Sequence, residues 1–217
     1  MKRKLLIGYL ITCLALMLNF ACKEKPTTPS DSTTTIKSIS GFSASTSLQV
    51  TQKIWAAALL MPNSATYADG WWTFTVDLPN GSNGQMHVQF QDSSSTVQKF
   101  YNPQLTYTIL GKGLAQGAKG SLDYSVRLSG TTLTSGYIIT NGNGSVTYLG
   151  ATAVVNITNL KMLKLPNSYP IEGSITIVTL GSTVTVTFNG TKFAQGTFTY
   201  GGSTYNFSID LDTGAIG

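Results

Sequence analysis

The stretch Trp71–Asp92, WWTFTVDLPNGSNGQMHVQFQD, decides the fold. Trp72, Phe74, Val76 and Leu78 alternate with Thr73, Thr75 and Asp77. The turn-forming run PNGSNG follows, and beyond it Met86, Val88 and Phe90 alternate with His87, Gln89 and Gln91. A period of two puts successive side chains on opposite faces of a strand. Two such runs around a Gly/Asn/Pro cluster read as a hairpin with one dry and one wet face.

The same pattern continues towards the C-terminus. QLTYTIL (104–110) offers Leu105, Tyr107 and Ile109; SLDYSVRL (121–128) offers Leu122, Tyr124, Val126 and Leu128. LTSGYIIT (133–140) is read as turning at NGNG (141–144) into SVTYLG (145–150), and ATAVVNITNL (151–160) follows. After the loop KLPNSYPIEG (164–173) come SITIVTL, TVTVTFNG, GTFTY and STYNFSIDL, joined by short Gly-containing turns. These segments predict roughly ten to twelve strands. A meander of that many strands must curl or split.

Upstream of the hairpin the period changes. SLQVTQKIWAAALLM (47–61) places Leu48, Trp55 and Leu59 on one helical face, widened by Val50, Ile54, Ala58 and Met61. Ser47 can cap this helix and Pro62 helps stop it. The expected fold class is mainly β: a strongly curved antiparallel meander, an open or half barrel, with one N-terminal helix packed in its concave side. That outline is similar to the periplasmic lipoprotein carriers and their outer-membrane receptor, which hold acyl chains in an open barrel. The similarity lies in architecture, and architecture alone does not carry function.

The chain opens with Lys2, Arg3 and Lys4, then the uncharged run LLIGYLITCLALMLNFA (5–21), then Cys22. A basic start, an apolar run and a small residue before the cut are the layout of an export signal. With Ala21 directly before Cys22, the segment resembles a bacterial lipoprotein signal peptide. That family usually has an apolar residue three positions before the cysteine; here Asn19 stands there and Leu18 one position earlier. The resemblance implies that Cys22 is the first mature residue and carries acyl chains such as palmitate. Stable anchoring takes more than one chain, each buried methylene contributing about 0.8 kcal/mol. By resemblance to Gram-negative lipoprotein sorting, Lys23 rather than Asp after the cysteine implies the outer membrane. KEKPTTPSDSTTT (23–35) has no apolar residue and reads as a disordered tether. The expected organisation is therefore 1–21 signal peptide, 22–40 lipidated cysteine and tether, and 41–217 a single β-rich domain.

Composition narrows the function classes. The 196 residues after position 21 hold 11 basic and 9 acidic side chains. With no basic stripe, nucleic acid is not an expected partner. Both cysteines, Cys13 and Cys22, lie in or at the signal. Disulfides and cysteine metal sites in the domain are thereby excluded. His87 is the only histidine, on the wet face of its strand, and no GxSxG elbow is present, so a nucleophilic hydrolase lacks its base. The carboxylates, including Asp77 and Asp123 on wet faces, show no pairing pattern of the kind glycoside hydrolysis needs. DLDTG (210–214) looks like a fragment of a calcium loop without its remaining ligands, and a strand end with a turn is the plainer reading.

No catalytic residue, metal site or cofactor is expected. Strand aromatics usually pack; Trp72, Phe74, Tyr124, Tyr205 and Phe207 are the candidates for lining an apolar ligand site. Lys161 and Lys164 could meet lipid phosphates at a rim, with a solvated loop the plainer reading. The expected function is an envelope lipoprotein, non-enzymatic, that binds an apolar ligand or lipid in its curved sheet. The alternative is a structural or protein-interaction lipoprotein with a packed core and no ligand.

Overall fold

The period of two yields strands throughout. The computed structural model describes residues 29–165 and 167–217; the expected signal peptide, Cys22 and the start of the expected tether lie outside them. Among the described residues one helix, α1 (Pro29–Leu59), precedes β1 (Thr66–Ala68), β2 (Trp71–Asp77), β3 (Asn83–Gln91) and β4 (Val97–Gln98). Then come β5 (Thr108–Gly117), β6 (Gly120–Ser129), β7 (Tyr137–Tyr148) and β8 (Ala151–Leu163). The last four are β9 (Glu172–Thr179), β10 (Ser182–Thr187), β11 (Phe193–Tyr200) and β12 (Ser203–Asp210). They form one 12-stranded antiparallel sheet in chain order, with β4 beside β3 off the main path. The sheet is open: β1 and β12 are its two edges. Residues 33–217 make up one unit.

The opening hairpin has the expected register, with Phe74 opposite Met86 and Trp72 opposite Val88. Phe74, Met86, Val88 and Phe90 are buried, as are Leu122, Tyr124, Val126 and Leu128 of β6. On the inner face of the central strands, bulk alternates with glycine. Val126 lies between Gly111 and Gly142, and Tyr124 between Gly113 and Gly144. Of these glycines, Gly111 makes room for the helix. A Cβ at Gly111 would stand 2.2 Å from Ile54 Cδ1 of α1.

α1 is longer than the apolar period of residues 47–61 indicates, and part of the expected tether belongs to it. Residues 29–40 are helical, and Ile36, Ile39 and Ser40 are fully buried. Ser and Thr disfavour helix interiors because their hydroxyls compete for backbone groups. Here three of those hydroxyls bond back within the helix: Ser40 to the Ile36 carbonyl (2.7 Å), Ser43 to Ile39 (2.6 Å) and Thr51 to Ser47 (3.0 Å), while Ser47, expected as a cap, lies inside the helix with its hydroxyl buried and unpartnered. Residues 43–51 are buried without interruption, so the helix is enclosed on every side rather than on one face. Small side chains suit that passage; a Cβ at Gly41 would meet the Gly214 carbonyl oxygen at 2.3 Å.

Two other expectations are corrected. NGNG (141–144) is not a turn but the middle of β7, with a register shift between Thr140 and Gly142. Gly142 and Gly144 serve close approach: a Cβ there would fall 2.5 Å from Ser125 O and 2.6 Å from Asp123 O. Leu105 and Tyr107 are exposed instead of inward, because β5 begins only at Thr108 and the chain before it is loop.

Both edges of the sheet are blunted. β1 has only three residues. Along β12 the C-terminal tail turns back, with Asp210 N donating to Ala215 O (2.9 Å) and Ser208 and Gly217 exchanging backbone bonds at 3.1 Å. Covering an edge in this way removes a template for further strand pairing. Where the lips of the sheet face each other, Gln49 of α1 reaches both. Its Nε2 donates to the carbonyls of Leu211 (2.9 Å) and Asp212 (2.7 Å) beyond β12. Its Oε1 accepts from the Asn80 amide (3.1 Å) beyond β2. Asn80 Nδ2 donates in turn to Thr46 Oγ1 at 2.8 Å.

Candidate functional site

Of the five candidate ligand-site residues, Tyr205 and Phe207 meet on the Phe198 ring (5.1 and 6.0 Å), and no ring contact joins the other three to them. Phe74, Tyr124 and Phe207 belong to the buried core. Burial raises the Tyr124 pKa far above the ordinary phenol value, with the Asp123 charge adding to the effect. Tyr205 is stacked on Phe198 at 5.1 Å. Trp72 lies on the partly exposed start of β2, between Tyr67 (5.1 Å) and Phe100 (5.8 Å), and its Nε1 donates to the Lys99 carbonyl at 2.5 Å. The concave side that such a site would need is occupied by α1.

His87 Nδ1 contacts Thr73 Oγ1 at 2.8 Å across the β2–β3 pair. DLDTG is a strand end with an Asx turn: Asp210 Oδ1 accepts from the amides of Asp212 (2.9 Å) and Thr213 (3.2 Å). Burial pushes the Asp210 pKa up, but those amides and Lys192 outweigh it and hold the carboxyl below its usual value. Among the described residues no group of three or more His, Cys, Asp or Glu side chains could hold a metal ion. Nor, among them, is any helix long and apolar enough to cross a membrane.

The loops distinguish one side of the sheet from the other. The connections at 118–119, 149–150, 180–181 and 201–202 are two-residue turns, and the β2–β3 turn (78–82) shares their side. The longer segments 92–107, 130–136, 164–171 and 188–192 all leave the opposite strand ends, where α1 also terminates. Rigid scaffolds carry function on such loops more often than on their turns.

A crevice of about 240 Å³ opens between the end of α1 and three of these loop regions, lined by Trp55, Leu59, Tyr101, Pro103, Leu133 and Lys164. Trp55 is buried and meets Tyr101 edge-on at 5.8 Å. Tyr101 is fixed by donating its hydroxyl to the Thr131 carbonyl (2.6 Å), and burial raises its pKa. The Trp55 Nε1–H is buried without a hydrogen-bond partner. Lys164 donates to the Thr132 carbonyl and holds its ammonium 6.0 Å from the Trp55 ring centroid. Partial desolvation pushes its pKa down. Among the described residues Lys164 has no ion pair, whereas Lys161 pairs with Glu172 and Lys192 with Asp210. The neighbouring Leu60 (82% exposed), Leu105 and Leu165 extend the apolar surface into solvent, as does Leu133 (68%) within the crevice.

Sequence reasoning marked Lys164 only as part of a basic rim and Trp55 only as helix core. Tyr101, Pro103 and Leu133 carried no signal, because loop residues from separate segments have no period to betray them. No protein-family model, curated protein or solved structure matches this chain.

Proposed function

We propose that this chain is a lipid-anchored lipoprotein of the bacterial outer membrane, held by acyl chains on Cys22, which acts without catalysis by contacting another envelope protein. One observation carries the choice of surface over cavity: α1 fills the concave side of the sheet, where an apolar ligand would otherwise lie. Ligand pockets typically enclose about 300–1,000 Å³ and bury most of their ligand. Of the candidate aromatics, Phe74, Tyr124 and Phe207 are spent in the core, Tyr205 is stacked on Phe198, and Trp72 lies between Tyr67 and Phe100. The resemblance of the first 22 residues to a lipoprotein signal supports the anchor, and Lys23 supports the outer membrane.

Native mass spectrometry of the gently purified chain tests the reading. The expected spectrum shows the polypeptide, with its anchor acyl groups and no further mass. A tightly bound additional species in the lipid range would overturn the packed-core reading and favour a carrier. Labelling with a palmitate analogue tests the anchor: incorporation into the wild type and its loss in Cys22→Ser are expected, and equal labelling of both would overturn it.

A further inference from the structure

We infer that the crevice at the end of α1 is the anchor point of the protein partner, receiving one apolar side chain while Lys164 pairs with a carboxylate beside it. This deepens the function proposed above and rests on it. The crevice is smaller than a typical small-molecule pocket, at about 240 Å³. It has the size for one side chain of the kind that dominates protein interfaces from a central, desolvated pocket. Its walls are Trp55, Leu59, Tyr101, Pro103 and Leu133, and its one charged wall residue is Lys164. Charge complementarity then selects the occupant. An ammonium that donates to the Thr132 carbonyl, has no ion pair among the described residues and lies beside an aromatic ring gains from an incoming carboxylate. The exposed Leu60, Leu105, Leu133 and Leu165 supply apolar surface around it for the rest of the contact.

The test uses the ¹⁵N-labelled full chain and follows the Trp55 indole N–H resonance. The probe is the peptide acetyl-Gly-Asp-Leu-Gly-amide, with controls in which Asn replaces the Asp or Ala replaces the Leu. A saturable shift is expected, weakened at least about fivefold by the Asn control and about tenfold by the Ala control. Lys164→Met should remove the preference for Asp over Asn and Lys164→Arg should retain it, with melting curves showing that both variants are folded. No saturation by about 10 mM peptide would overturn the inference. So would an undiminished Asp preference in Lys164→Met, or tighter binding of octanoate than of the peptide, which would assign the crevice to lipid. A lipid-range mass in the native spectrum would sink the proposed function itself. A silent crevice in a ligand-free protein sinks only this inference.

Discussion

Gln49→Ala tests whether the helix locks the open sheet. Gln49 is buried and makes three bonds, two to carbonyls beyond β12 and one from the amide beyond β2. The bond to Leu211 is fully buried, so its loss costs about 1–3 kcal/mol for a stranded acceptor. The other two are part-buried, and each contributes about 1 kcal/mol. The expected loss is therefore about 4 kcal/mol, or roughly 10 °C in melting temperature for a domain of this size. Urea unfolding monitored by tryptophan fluorescence reads it as a lower midpoint at unchanged slope. Gln49→Glu sharpens the test. It places a carboxylate against two carbonyl oxygens, which raises its folded-state pKa above the unfolded value of about 4.3. The relative stability of this variant should be greatest below that value and fall as pH rises through the folded-state pKa. A loss under about 1 kcal/mol in Gln49→Ala, within the ordinary range of one net hydrogen bond, would refute the locking argument.

Deleting residues 29–40 removes Ile36 and Ile39, both fully buried. The chain starting at 41 should be less stable than the chain starting at 29 by about 3–6 kcal/mol, whereas a tether would leave the melts superimposed. Gly111→Val should cost about 1–3 kcal/mol by forcing Ile54 aside. Combined with Ile54→Ala, it should cost less than the two losses added, with a coupling of about 1 kcal/mol by double-mutant cycle. Tyr169 donates its hydroxyl to both oxygens of Asp212 (2.9 and 3.1 Å). Burial first, then that bond and the charges of Asp212 and Asp210, raise its pKa. Its stabilising contribution is fully present below the unfolded phenol value of about 10 and is lost as pH rises through the folded one. The stability gap between wild type and Tyr169→Phe should accordingly shrink in an alkaline denaturation series.

The sheet was legible because alternation is a physical signature: Phe74, Met86, Leu122 and Val126 each occupy the face that their period assigns. The extent of the helix was not. Ser40, Ser43 and Thr51 look polar to a sequence reader, yet their hydroxyls are satisfied by the preceding turn and can be buried without outside partners. NGNG misled for a related reason. Glycine marks turns when it supplies a positive φ, but Gly142 and Gly144 are there because neighbouring backbone comes too close for a Cβ. The crevice was illegible altogether, since Trp55, Tyr101, Leu133 and Lys164 meet only once the long loops are folded.

The clasp at Gln49 also fixes an order of events. It joins positions 162 residues apart, from a helix made early to the Leu211 carbonyl just past β12. Contacts of such long range form late, after the intervening chain has lost its freedom. While the polypeptide is being synthesised, α1 can coil but has no finished sheet to enter. Until then its apolar residues, Ile36, Ile39, Leu48, Val50 and Ile54 among them, have nowhere to be buried. A nascent chain stopped short of Leu211 would possess every strand and still lack its lock, so the sheet can be fastened only once Leu211 and Asp212 have been made.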